Sequence, residues 1–275
     1  MIAIRDRDEI VERLGADPLD NVVLLKHLAA FPAHTRAFQR HSEFGAATLV
    51  LLDTAASDYD RKTYPTATHA ALLRSDDAAL TEALLAELPA DGGIVFKLGS
   101  AAERDVVQQR YPLLRKTSFL SFTSSERRPD HDGALVANSA TNAMYALYRT
   151  REHARAWLSP LLADGRAFTC LIGSGDAPLS VCFAFESHRN VWEIGGVVTR
   201  PDQRGRGLGL RVVGAAIEEL GRRGLLARYQ VHEDNIASIR LAEALGMRPL
   251  LRLTHYLHEQ QSLTHLCGSA RPPPA

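Results

Sequence analysis

The stretch VVTRPDQRGRGLGLRVV, residues 197–213, sets three glycines (205, 207, 209) and four arginines (200, 204, 206, 211) between two apolar runs. Upstream, VWEIGGVVT (191–199) reads as a strand. Downstream, Leu210, Val213, Ile217 and Leu220 recur at spacings of three and four, one stripe of a helix. A glycine-rich turn from strand to helix offers main-chain N–H groups to a phosphate at the positive end of a helix dipole.

Register separates the phosphate turns that such a stretch can make. A P-loop needs lysine followed by Ser or Thr after its second glycine, and no lysine lies near. A dinucleotide fingerprint needs Gly-x-Gly-x-x-Gly; counted from Gly205 or Gly207, its third glycine falls on Leu210 or Val212. The pattern that fits is Arg-x-x-Gly-x-Gly, as it stands in Arg204-Gly205-Arg206-Gly207-Leu208-Gly209. Glycines there remove Cβ atoms that would keep a pyrophosphate from the main chain.

Around this turn the chain reads as two parts. Residues 1–125 alternate helical and strand patterns: helices at 20–31, 76–88 and 101–111, strands at 47–53, 69–74, 93–99 and 118–124. The polar stretch SSERRPDHDG (124–133) is the expected linker. Residues 140–165 predict two helices, and strands at 167–172, 179–186 and 191–199 follow as an antiparallel meander. After the glycine turn come a helix at 207–222, a strand at 225–233, a helix at 236–245 and a strand at 250–257. The expected class is a mixed α/β fold with two lobes, 1–125 and 134–258, and a disordered tail over 259–275.

The totals bound the partners. Across 275 residues, 45% are hydrophobic and 23% charged, as in a soluble globular protein, and 32 Lys+Arg balance 32 Asp+Glu. A zero formal charge argues against nucleic acid or an anionic membrane as the main partner. No apolar run approaches about 18 residues, and the stretch after Met1 does not read as a signal peptide, so the expected location is the cytoplasm. Cys170, Cys182 and Cys267 are odd in number and read as reduced thiols. His255 and His258 sit on a strand-like run, which argues against a metal pair, and no metal is expected.

The string GGVVTRPDQRGRGLG, with a helix behind it, resembles the acyl-CoA site of the Gcn5-related N-acetyltransferase (GNAT) superfamily over about residues 134–257. The resemblance implies acetyl-CoA as co-substrate, its phosphates held by Arg204, Gly205, Arg206, Gly207, Leu208 and Gly209. It implies that main-chain groups of Val197, Val198 and Thr199 hold the thioester. Asn235, in HEDNIASIRLAEALGM, matches an asparagine that contacts the pantetheine arm; it also suits a plain helix cap, and the two roles can coexist. Arg206 and Arg211 equally fit a solvated basic face, while Arg200 and Arg204 are the better candidates for phosphate contact or for structuring the turn. The first lobe has no such turn; DPLDNVVLLKHL resembles the opening helix of two-lobed members, which implies a degenerate GNAT-like lobe that shapes the acceptor cleft.

For catalysis, Glu193 stands eleven residues before Arg204, where some members carry a glutamate base. In an apolar strand its pKa is expected to rise toward neutrality, which suits a base; the bland alternative is a solvent-facing strand residue. The family's general acid is a tyrosine seven residues after the asparagine, and Ala242 stands there. Tyr229 and Tyr256 are the substitutes in reach, each equally readable as a packed strand tyrosine, and Tyr256 is taken with Glu193 as the catalytic pair. The expected activity is transfer of an acetyl group to a primary amine of a small molecule or amino acid, by a monomer or homodimer. The alternatives are a longer-chain acyltransferase like glycine N-acyltransferase, or an acyl-CoA-binding module without catalysis.

Overall fold

Apart from one extra short helix in the first run, the same order of strands and helices occurs twice along the chain. The computed structural model describes residues 1–43, 45–124, 131–150 and 155–259. In the first run, β1 (Ile2–Ile4) leads into α1 (Arg7–Leu14) and α2 (Val22–Ala30), then β2 (Thr35–Ser42) and β3 (Gly45–Asp53). Helix α3 (Asp58–Thr63) precedes β4 (Ala67–Ser75), α4 (Ala78–Leu85) crosses to β5 (Gly93–Leu98), and α5 (Ala101–Val107) leads to β6 (Leu114–Thr123). In the second run, β7 (Leu135–Ala137) leads into α6 (Asn142–Arg149) and α7 (Arg155–Ala163). The meander β8 (Ala167–Gly173), β9 (Pro178–His188), β10 (Val191–Thr199) follows, antiparallel as the short turns require. Helix α8 (Leu208–Arg222) crosses to β11 (Leu226–His232), and α9 (Ile236–Ala244) leads to β12 (Arg248–His258).

One sheet holds all of these strands, in the order β1-β2-β3-β4-β5-β12-β6-β11-β10-β9-β8-β7. The last strand of each run sits in the other half. β12 pairs antiparallel with β5, β6 pairs antiparallel with β11, and β6 and β12 pair with each other at the centre. The expected linker therefore divides the sequence but not the sheet. Residues 125–130 of that linker, residues 260–275 of the tail, and Cys267 with them, lie outside the described residues.

Helices cover both faces of each half. In the first, α4 packs with Leu80, Leu84 and Leu85 on one face, while α1 and α2 cover the other through Ile10, Leu14, Leu25 and Leu28. That second cluster takes in Val191, Leu253 and Leu257, so a single core runs under both runs of the chain. Every residue of β5 is buried, as an interior strand with both faces covered should be. In the second half, α8 buries Leu208, Val212, Val213, Ile217 and Leu220, while Leu210 of the expected stripe is only partly covered. Cys170 and Cys182 are buried free thiols directly opposite each other on β8 and β9.

Candidate active site

The two halves differ where their parallel strands meet. In the first, β4 and β5 pair from Ala67 opposite Gly93 to Leu73 opposite Leu98, the whole length of β5. In the second, β10 and β11 pair only from Val191 opposite Leu226 to Ile194 opposite Tyr229. Beyond Ile194, residues 195–199 have no partner strand on the β11 side, and the strands splay. A β-bulge lies at the mouth of the splay: the register on β9 shifts between Gly195 and Val198. Gly196 holds the bulge with φ +61°, and a Cβ there would lie 2.1 Å from Cε1 of Phe183.

The glycine turn follows on β10. Gly205 and Gly207 are left-handed at φ +75° and +72°, and a Cβ on either would meet nothing within 4 Å. The turn thus exposes main chain to open space, the cradle a pyrophosphate needs. Gly209 differs from what the spacing suggests: it is inside α8, and a Cβ there would make ordinary contacts with Leu241 and Thr199. Gly207 is the N-cap of α8 and offers no capping side chain, so the first turn of a 15-residue helix presents its N–H groups uncovered. The matching helix of the first half is closed by its own anion: Asp77 caps α4 by accepting from the Leu80 N–H at 2.9 Å. Arg200 braces the turn through two bonds to Asp202, and Arg206 through Gln203 at 2.6 Å. Arg204 is exposed and free of side-chain bonds among the described residues.

A cleft of about 880 Å³ opens from the splay toward the first half. Its floor is Glu193 to Val197 on β10 and Tyr229 to His232 on β11; its walls are Trp157 of α7 with Phe183 and Phe185, and Tyr59 of α3. Asn235 lines it too while its Oδ1 accepts from the Ser238 N–H at 3.2 Å, so it caps α9 and faces the cleft at once. A second cavity of about 450 Å³ shares the Trp157–Phe185 wall and is lined beyond it by Lys26 and His27 of α2. The first half therefore supplies Tyr59 and Lys26 to the space beside the splay.

Two catalytic expectations change. Glu193 does not have a raised pKa. Burial pushes it up, but Lys26 and Arg228 outweigh burial and hold the carboxyl below its usual range. Arg228, fully buried on the adjacent strand, donates to Glu193 Oε2 at 2.5 Å, to Ser121 at 3.0 Å and to Gln230 at 2.5 Å. A carboxylate so stabilised is a poor proton sink near neutrality and a good partner for a cation. Tyr256 lies elsewhere: on β12, opposite Phe96, packed against the core of the first half. Tyr229 is the tyrosine at the site. It stands opposite Ile194 where the splay begins, lines the cleft, and its hydroxyl meets the Ser238 side chain. Burial raises its pKa, so it stays protonated. Ala242, at the family's usual acid position, is buried in the core under α8 and α9.

Residues 123–247 match the sequence profile of the acetyltransferase (GNAT) family. The C-terminal half belongs to the GNAT superfamily. No curated protein matches the chain. Among solved structures, a GCN5-related N-acetyltransferase from Sphaerobacter thermophilus is similar at 15% identity and TM-score 0.59, over 94% of this chain and 95% of that one. A GNAT-family acetyltransferase from Colwellia psychrerythraea matches at 11% identity and TM-score 0.57, over 94% and 100%. A tandem GNAT protein from the clavulanic acid biosynthesis pathway matches at 15% identity and TM-score 0.52, over 95% and 99%. These likenesses are of fold, and they extend the two-lobed GNAT arrangement over nearly the whole chain. The family supports an acyltransferase that works with an acyl-CoA. Among the described residues, no helix is long and apolar enough to cross a membrane.

Proposed function

We propose that the chain is an N-acetyltransferase that uses acetyl-CoA to acetylate the primary amine of a small molecule. The observation that carries this reading is the conjunction, in one half only, of an uncapped glycine turn and an open splay. The turn at Gly205 and Gly207 and the first N–H groups of α8 hold the phosphates, with Arg204 as the free cation beside them. Asn235, whose Nδ2 is not used by the cap, meets the arm that runs into the splay. Acetyl-CoA, when bound, supplies an acyl group already activated as a thioester. The unpaired β11-facing edge of residues 195–199 offers N–H groups to the thioester carbonyl. Glu193 stays ionised and holds the incoming ammonium; its first proton leaves to water in the open cleft before the free amine attacks, and the second, lost as the intermediate collapses, replaces the one that the departing sulfur takes. Tyr229 donates to the departing sulfur in place of the tyrosine that Ala242 replaces.

Thiol release from acetyl-CoA, measured against a panel of amines and amino acids, tests the reading. Turnover with at least one amine supports it, and the same panel run with a longer acyl-CoA tests the chain length. Acetyl-CoA binding without turnover favours the binding module that Ala242 suggests. Tyr229→Phe is expected to lower kcat by on the order of 10²-fold, the low end for loss of a general acid, with little change in acetyl-CoA affinity. An unchanged kcat would remove Tyr229 from the reaction.

A further inference from the structure

The ion pair at the meeting of the two cavities is incomplete, and its deficit has a shape. Lys26 Nζ lies 3.8 Å from Glu193 Oε2, too far for a hydrogen bond, and its side chain is 30% exposed. Among the described residues Glu193 is its only ion partner. Burial lowers the Lys26 pKa to about 8, with Glu193 opposing, so most of the ammonium remains charged at neutral pH. Glu193 spends Oε2 on Arg228 and Lys26, while Oε1 carries no hydrogen bond among the described residues. A half-buried ammonium with open donors therefore stands beside a carboxylate with an open acceptor.

The neighbours do not fill the gap. Burial holds His27 well below its ordinary range, with Lys97 and Lys26 adding to the effect, so it contributes no charge. Arg166, on the far side of the same cavity, is occupied by Glu186 at 2.8 Å. Lys26, Glu193 and Arg228 together leave one net positive charge, which disfavours a diamine and favours an acceptor with a carboxylate. The walls are aromatic: the Trp157 ring packs 4.9 Å from Phe185 and 5.6 Å from Phe183, yet Trp157 remains 43% exposed, and Tyr59 opposite is 46% exposed. An indole left open in a cleft is a contact surface for an apolar or aromatic group.

We propose that the acceptor is an α-amino acid with an apolar or aromatic side chain, its carboxylate held by Lys26 and its amino group by Glu193. The spacing suits it, because an α-amino acid carries its ammonium and carboxylate about as close together as Lys26 and Glu193 stand. Glu193 is one residue before Ile194, where the splay opens, so an amine held there is at the thioester's end of the cleft. The proposal rests on the acetyltransferase reading above, and makes the N-terminal lobe the part that selects the substrate.

The test is acetylation of phenylalanine and of phenethylamine, its decarboxylated analogue, by the full chain with acetyl-CoA. The wild type is expected to prefer phenylalanine by 10- to 100-fold in kcat/KM, the worth of a charge-assisted contact, and Lys26→Met to bring that ratio near one. Lys26→Arg should keep most of the preference, which separates loss of the charge from loss of the fold. The ratio is the readout because Lys26→Met also alters the field at Glu193, and that affects both acceptors. Equal use of the two compounds by the wild type, or an unchanged ratio in Lys26→Met, would overturn the anchor while leaving the acetyltransferase intact. So would acetylation of other amines but neither of these. Absence of thiol release with every amine tried would be a failure of the underlying reading, and would take the proposal with it.

Discussion

Gly207→Glu is expected to abolish binding of acetyl-CoA while leaving the fold in place. The substitution costs little inside the protein beyond a left-handed residue, about 1–2 kcal/mol, because a Cβ at Gly207 would meet nothing within 4 Å. The same open space is where the phosphates are to lie, and the new carboxylate would occupy it at the positive end of α8. The molecule contains its own precedent: Asp77 occupies the N-terminus of α4, the matching helix of the first half. Isothermal titration should show affinity lowered by about 100-fold or more, equivalent to roughly 3 kcal/mol, with an unchanged circular dichroism spectrum. Affinity within tenfold of the wild type would place the phosphates elsewhere.

Gly196→Ala is expected to damage both stability and activity. The backbone at φ +61° already disfavours a side chain, and the added Cβ would sit 2.1 Å from the Phe183 ring. Phe183 has nowhere to go: it is buried, with Tyr148 at 5.3 Å and Trp157 at 5.6 Å. Either the core shifts or the bulge unwinds, and unwinding closes the mouth of the splay. Overpacking with backbone strain is worth about 3 kcal/mol, or roughly 10 °C in Tm for a chain of this size, and turnover should fall by about 100-fold or more. Phe183→Leu in the same chain should recover part of the Tm. A melting curve and turnover like the wild type's would mean that the bulge does not shape the site.

What could be read in the sequence was what is local. The glycine turn and the α8 stripe are each specified within about twenty consecutive residues and the β8–β10 meander within residues 167–199, and periodicity finds them. The first half's lack of a second phosphate turn was equally legible, since Ser75, Asp76 and Asp77 stand where glycines would be needed. Strand β2, TRAFQRHS, went unread because its polar residues break the apolar alternation, and Gln39 is buried there through a bond to Thr48 at 2.9 Å. The charged helix α1 was missed for the same reason. Glu193 looked like a desolvated base because Arg228 is 35 residues away and Lys26 belongs to the other lobe. Tyr256 looked available because nothing local says that β12 pairs with β5 of the first half. Strand exchange and cross-lobe ion pairs are properties of the assembled sheet, and no window of sequence contains them.

On this reading one half of the two-lobed chain binds an acyl-CoA, and the other, with Asp77 closing its matching helix, does not. Titration of the wild-type protein with acetyl-CoA measures it directly. One site per chain, with its heat of binding lost in Gly207→Glu, is the predicted result. Two sites per chain, or a single site indifferent to Gly207→Glu, would contradict the assignment of the splay and glycine turn as the place where the acyl donor binds.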